Sequence, residues 1–324
     1  MKKTPWMLLG VLALGLSAMG SPAVAQDNYP SSPVKLMLGF GPGAITDTVA
    51  RMLAQKLSAQ MNTSIVVENK PGANGNIATE LVAKARPDGY TLLFNTIGVV
   101  MTRAMGSKLN YDVFQDLAPV ALVASGPLVL CVHPSVPANN PVEFIAHLRA
   151  NPNKLAYSSS GVGAITHLTP LLFLQANGLS ALHVPYKGSG AAVIDAIAGR
   201  VQFGWVNMIT ALPPVRDKRL KAIAISGLTR SPLLPDVPSL NESVMPGFAV
   251  GGWYGVMAPA KTPTAIVTRL NGEIMKALDR DLKSRLDQQG VEPLGSTPEQ
   301  YGAYLKSEFE RWTKVIKSSG IKPE

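Results

Sequence analysis

Leu155-Ala156-Tyr157-Ser158-Ser159-Ser160-Gly161-Val162-Gly163-Ala164-Ile165-Thr166-His167 runs from an apolar strand through a Ser/Gly turn into a helix. It echoes Leu38-Gly39-Phe40-Gly41-Pro42-Gly43-Ala44-Ile45-Thr46-Asp47 earlier in the chain. Each stretch predicts a helix N-terminus behind glycines, where open backbone N–H groups and partial positive charge suit a carboxylate or phosphate. Strand, glycine turn and helix also make the ordinary joint of any α/β protein, so one such stretch decides little. Two of them suggest the two lips of one anion site.

Outward from these turns, strands and helices alternate. Residues 34–38 read as a strand and 46–61 as a helix with Val49, Leu53, Leu57 and Met61 on one face, capped by Thr46 or Asp47. Residues 64–68 and 90–95 are further strands, separated by a turn over 71–76 and a helix over 77–85. The β-α-β-α-β order implies a parallel sheet with right-handed crossovers and a ligand site beyond the carboxyl ends of the strands, where both glycine turns fall. A second unit reads as strands 120–123 and 128–132, a helix over 141–150, the strand and turn quoted first, and a helix toward Gln175 whose start Thr169-Pro170 delays. Strand 181–184, helix 190–198 and strands 201–206 and 220–225 complete it. From Thr264 onward the chain reads as helical, with Ile266, Leu270 and Ile274 on one face and Leu305, Phe309, Trp312 and Ile316 marking a last amphipathic helix.

The chain of 324 residues exceeds one typical core. No flexible linker divides it, which fits two α/β lobes crossed by more than one strand: residues 26–124 with 229–324, and residues 125–228. Lys2 and Lys3, an apolar run over 6–19 and Ser21-Pro22-Ala23-Val24-Ala25 before Gln26 predict a cleaved signal peptide over residues 1–25 and a periplasmic location. The net charge is +9, and +7 without the two leader lysines. The basic residues are dispersed and aromatics few, so nothing points to nucleic acid. The single Cys131 forms no internal disulfide and reads as a small buried apolar residue.

Several stretches together resemble the periplasmic solute receptors of the tripartite tricarboxylate transporter class, the Bug-type binding proteins. They are Glu68-Asn69-Lys70-Pro71-Gly72-Ala73-Asn74-Gly75, Ala85-Arg86-Pro87-Asp88-Gly89-Tyr90-Thr91-Leu92, Ser159-Ser160-Gly161-Val162-Gly163 with His167-Leu168, and Val184-Pro185-Tyr186-Lys187-Gly188. Ala198-Gly199-Arg200-Val201, residues 234–242 and 253–263, and Gly295-Ser296-Thr297-Pro298-Glu299 extend the likeness over nearly the whole chain after the leader. The resemblance implies a two-lobed periplasmic binding protein of type II-like α/β fold, each lobe a mainly parallel sheet flanked by helices. It also implies a monomer that closes on a small carboxylate and presents it to a membrane permease.

The same resemblance places the ligand carboxylate between residues 40–47 and residues 158–163. Ser158, Ser159 and Ser160 then offer hydroxyls, while Gly41, Gly43, Gly161 and Gly163 let backbone amides approach. Phe40 and Ala44 line the first turn, Thr46 serves as helix cap or ligand contact, and Asp47 stabilises the helix start or accepts from a ligand amine or amide. His167 matches a family position, though a lone histidine at a helix start is more often structural. Residues 96–99 and 207–209, with Thr96 and Asn207 foremost, face the far end of the ligand and set its identity. Where the family has Gly-Gly, Gly43-Ala44-Ile45 suggests a smaller, more apolar pocket. No cofactor is expected.

Other functions leave weaker marks. Gly39-Phe40-Gly41-Pro42-Gly43-Ala44 satisfies a dinucleotide-binding fingerprint, with Glu68 ending the next strand, but an exported protein lacks the nicotinamide pool and Pro42 is unexplained. An exported ligand sensor for signalling is the other alternative. The serine cluster shows no base partner and no complete nucleophile elbow, so no catalytic residue is expected. His133, His147, His167 and His183 lack metal-ligand spacing, so no metal is expected either. Trp205 and Met208 read as core, and Asp279 and Asp281 as a solvated helix face.

Overall fold

Val34–Leu38 (β1) is buried at four of its five residues, and the helix behind it, Ile45–Met61 (α1), turns Val49, Leu53, Leu57 and Met61 onto it. Apolar residues every four positions give a helix one buried stripe, and that stripe fixes which face it lays on the sheet. Residues 29–319 are described by this computed structural model, so the signal-peptide segment lies outside the described residues. The first lobe continues with Ile65–Asn69 (β2), Asn76–Ala83 (α2), Thr91–Thr96 (β3) and Gly98–Ala104 (α3). Leu117–Val132 (β4) then leads into Pro141–Ala150 (α4), Ala156–Ser159 (β5), Ile165–Ala176 (α5), Leu182–Pro185 (β6), Ser189–Ile197 (α6), Phe203–Asn207 (β7), Met208–Arg216 (α7), Lys221–Ile225 (β8) and Leu240–Ser243 (α8). Gly251–Pro259 (β9), Thr264–Ala277 (α9), Arg280–Asp287 (α10), Glu292–Pro293 (β10) and Pro298–Ser319 (α11) return the chain to the first lobe.

Strands β1, β2 and β3 are parallel, as the alternation implies, while β9 runs antiparallel beside β3 and β4 antiparallel beside β9. In the second lobe β5 pairs parallel with β6 and β7, and β4 closes that sheet antiparallel to β7 and β8. The protein is therefore a two-lobed α/β fold with mixed sheets. One cluster packs α1, α9 and α10 on one face of the first sheet through Leu53, Leu57, Leu270, Ile274 and Leu282. On the other face, α3 and α11 bring Val100, Tyr301, Leu305, Trp312 and Ile316 together. Glu308, buried in α11, accepts from the indoles of Trp253 (3.2 Å) and Trp312 (3.1 Å) and pairs with Arg311 at 3.4 Å.

The structure corrects three expectations. The strands expected at 120–123 and 128–132 are one 16-residue strand, β4, which serves both sheets. Ser125-Gly126-Pro127 continues the strand, with Gly126 and Pro127 paired to Gly252 and Gly251 of β9. Helix α5 begins at Ile165 and simply contains Pro170, whose missing N–H forfeits the one bond to the Thr166 carbonyl. Neither Thr46 nor Asp47 caps α1: its N-cap is Ala44. Asp279 and Asp281 are exposed, as expected; Asp279 is also the N-cap of α10, accepting from Leu282 N–H at 2.8 Å, and both pair with Lys56, at 2.9 and 2.8 Å.

Where the chain passes between lobes, fully buried Ser226 ties three strands together. Its hydroxyl accepts from Leu128 N–H at 2.7 Å and donates to the Val250 carbonyl, while its backbone exchanges bonds with Leu128 O and Val250 N–H at 2.9 Å each. Leu240 packs in the core of the second lobe with Leu128, Phe144 and Trp205. That packing argues for a return to the first lobe near Val250 rather than near residue 229, and we propose that limit.

Replacing Ser226 by Ala orphans a buried N–H and a buried carbonyl, each costing about 1–3 kcal/mol. Chemical denaturation of S226A is expected to show a loss of about 2–6 kcal/mol. A loss indistinguishable from zero would mean the crossing strands hold without this hydroxyl.

Candidate ligand-binding cleft

The two turns quoted at the outset fold as twins. Gly41-Pro42-Gly43-Ala44-Ile45-Thr46 and Gly161-Val162-Gly163-Ala164-Ile165-Thr166 share four residue types at matching positions before the last, and both threonines follow in register. Ala44 sits at φ −67°, ψ 156° and Ala164 at φ −68°, ψ 155°, each the N-cap of its helix. The glycines before them are left-handed, at φ +79° for Gly43 and +75° for Gly163, a conformation that side chains resist. Ala44 N–H bonds back to Gly41 O, and Ala164 N–H to Gly161 O. No side chain caps either helix, so the N–H groups of Ile45 and Thr46 and of Ile165 and Thr166, which have no intrahelical acceptors, stay open, while His167 N–H bonds back to Ala164 O at 2.8 Å.

The third helical residue differs between the twins but plays one part. Asp47 accepts from Gly43 N–H at 3.0 Å, and His167 Nδ1 accepts from Gly163 N–H at 3.1 Å. Asp47 also takes Arg51 Nε at 3.0 Å and Asn69 Nδ2 at 2.9 Å, and Asn69 reaches the Phe40 carbonyl as well. Burial alone would raise the Asp47 pKa, but the hydrogen bonds from Arg51, Asn69 and Gly43 outweigh it and hold the carboxyl below its usual range. Asp47 is thus a neutralised brace of the first lip.

The serines of the second lip are braces too. Ser158 is buried facing Gly204, where a Cβ would stand 2.7 Å from its Oγ. Ser160 meets Thr166 through both its N–H (2.9 Å) and its hydroxyl (2.8 Å). Ser159 Oγ accepts from Gly161 N–H at 3.2 Å and lies 2.7 Å from His183 Nε2, so the serine cluster does have a histidine partner that its sequence did not reveal. His183 stacks on His167 with centroids 3.9 Å apart and on Tyr157 at 4.9 Å. Burial pushes the His183 pKa down to about 4, a base too weak to draw a serine proton efficiently.

Two cavities lie along the cleft. A water-sized one of about 10 Å³ brings Phe40 and Thr96 together with Asn74, Gly75 and Asn95, at the carboxyl ends of β1 and β3. A larger chamber of about 390 Å³ runs between α2, α3 and the residues after α3, with Val162 of the second lip on its wall. The lobes touch at the second lip, where a Cβ on Gly163 would meet Met105 Cε at 2.5 Å. Asn207, the N-cap of α7, lines neither cavity. Asn74, Met105, Lys108 and Tyr111 are chamber residues that sequence reasoning missed, and only the Asn-Gly pair at 74–75 inside the predicted turn hinted at one of them. Among the described residues no group of three His, Cys, Asp or Glu side chains is arranged to hold a metal ion, and no helix is long and apolar enough to cross a membrane.

The histidine pair makes the second lip sensitive to acid. Burial, reinforced for His167 by the charge of His183, lowers both pKa values from 6.5 to about 4. The unfolded chain therefore binds protons near pH 6.5 and the folded chain near pH 4, so stability present above about pH 6.5 is lost as the pH falls toward 4. Thermal melts across that window are expected to fall more steeply for the native protein than for H183Q, by on the order of 3 kcal/mol for the one histidine removed. Parallel curves would remove the histidines as the cause.

A family model described as the tripartite tricarboxylate transporter family receptor matches residues 49–321. Protein BugT of Bordetella pertussis is 34% identical over 319 residues, covering 97% of this chain and 98% of that protein. The solved structure of Rpa4515 from R. palustris with adipate is 34% identical, covers 91% of this chain and 100% of its own, and superposes with a TM-score of 0.84. MatC from Rhodopseudomonas palustris with bound malate is 31% identical, covers 89% and 100%, and superposes at 0.79. On sequence and fold alike, this chain belongs to the receptor family of the tripartite tricarboxylate transporters.

Proposed function

We propose that this protein is an extracytoplasmic solute receptor that closes its two lobes on a small carboxylate and delivers it to a membrane transporter of the tripartite tricarboxylate type. The observation that carries this reading is the pair of twin, uncapped helix N-termini, one from each lobe, at the carboxyl ends of the parallel strands. Open N–H groups and aligned peptide dipoles favour an anion, and hydrogen bonds to a charged acceptor contribute about 1.5–3 kcal/mol each. The hydroxyls of Ser159, Ser160 and Thr166 are engaged in bracing, so backbone amides are the donors in this reading. Adipate and malate in the two relatives support a carboxylate as the ligand. Periplasmic residence, a monomeric state and binding without turnover complete the proposal. A weak, stacked histidine beside Ser159, with no carboxylate bonded to it among the described residues, favours a receptor over a hydrolase.

A thermal-shift screen of mono-, di- and tricarboxylates tests the reading, since a ligand at 100 times its Kd stabilises by about 2.7 kcal/mol. A crystal structure with the hit is expected to show contacts from both residues 40–47 and residues 158–163. Calorimetry should find that G163V loses about tenfold or more in affinity, because it forces a left-handed residue and drives into Met105, while S159A loses only a few-fold. Consumption of the bound acid, or a ligand held by one lobe alone, would overturn the clamp.

A further inference from the structure

The chamber of about 390 Å³ falls in the size range of small-molecule sites, and most of its polar groups are already spent. Asn76 donates to Thr102 Oγ1 at 2.8 Å and accepts from Tyr111 OH at 2.6 Å. Glu80 is bonded to Lys84 and to Asn110. Ile77, Met105 and Leu109 give an apolar wall.

Asn74, Ser107 and Lys108 each keep an uncommitted side-chain donor on that lining, and two of them stand out. Asn74 Nδ2 is buried without an acceptor, although leaving such a group unmet costs about 1–3 kcal/mol. Its residue is left-handed at φ +53°, ψ 33° and is seated against Gly98, where a Cβ would stand 3.3 Å from both Cγ and Nδ2. A buried, fixed and unmet amide is what a prearranged ligand contact looks like before its ligand arrives. Asn74 also lines the small cavity with Phe40 and Thr96, so it stands where the chamber meets the first lip. The second donor is the ammonium of exposed Lys108, which makes no ion pair among the described residues.

We infer that Asn74 and Lys108 are specificity-determining residues that read the two ends of the ligand, an inference that rests on the carboxylate-receptor reading. Asn74 donates to the near end, beside the lips. The apolar wall takes a short hydrocarbon spacer, and Lys108 pairs with a second anionic group at the far end. The chamber therefore selects acids carrying a second carboxylate over monoacids of equal length.

The test is calorimetry on the full mature protein with the straight-chain diacids from succinate to suberate, each against the monoacid of the same carbon number. In the native protein at least one diacid is expected to bind about tenfold or more tightly than its monoacid. K108M should erase that preference while leaving the monoacid affinity within about twofold. N74G, which keeps the left-handed backbone and removes only the amide, should weaken diacid and monoacid alike by about fivefold or more. Equal binding of the two acids by the native protein, a preference surviving in K108M, or an N74G variant within twofold would overturn this inference and leave the receptor reading standing. Failure of the native protein to bind any acid of either series would overturn this inference, and failure in the wider screen of mono-, di- and tricarboxylates would overturn the receptor reading as well. Should N74G fail to fold, K108M alone still decides the far-end claim.

Discussion

Everything in this receptor hangs on a crossing of strands. Strand β4 belongs to both sheets, β9 lies beside it through the crossing, and Ser226 stitches β4 to the chain entering β9 at the point where one lobe becomes the other. Strands held by ladder bonds on both sides resist shear but permit a small change of twist. We propose that the junction keeps the lips in register while leaving their separation adjustable. A flexible linker would place the same two lobes at no particular angle, and an anion bridging them would have to fix that geometry against the entropy of a free hinge.

The twin lips show how one backbone solution serves two electrostatic settings. Both lips need an acceptor for the glycine N–H that precedes the N-cap, and both take it from the third residue of the helix. In the first lobe that acceptor is a carboxylate, whose charge would repel a bound acid were it not offset by Arg51 and shared with Asn69. In the second it is a neutral imidazole kept unprotonated by burial and by its stacked neighbour. Each arrangement frees the Ile and Thr amides that follow the N-cap, and neither leaves a net negative charge facing them.

The parallel halves of both lobes were legible because their signals are local: apolar runs of strand length, helical faces such as Val49, Leu53 and Leu57, and glycines between them. The elements that join the lobes were not legible, for physical reasons that can be named. Ser125-Gly126-Pro127 looks like a turn, and only the pairing with Gly251 and Gly252 makes it strand. Strand β9 opens on Gly-Gly and holds Gly255 at its centre, a composition that argues against a strand until Tyr301 is seen packed where a side chain would go. Helix α7 carries Pro213 and Pro214, and sequence rules would end it there. In the site, the glycine lips could be read from sequence, whereas the bracing of Ser159 by His183 and the seating of Asn74 on Gly98 depend on contacts distant in the chain.

That division has a consequence for how the cleft works. In the proposed reading, the residues legible in sequence are those that build a general anion cradle from backbone, and backbone donors do not distinguish one carboxylate from another. On that reading discrimination comes from side chains brought in by tertiary packing, and we propose the α2 and α3 surfaces lining the larger chamber for that part. Met105, at the C-cap of α3, rests on Gly163 of the opposite lip, so the chamber wall and the second lip are in direct contact across the lobes, and any change of lobe angle has to remake that contact. A ligand that fits the cradle but not the chamber would hold the lips together while straining that contact. Differential affinity for the closed form, not affinity for the cradle alone, would then decide which acids are retained.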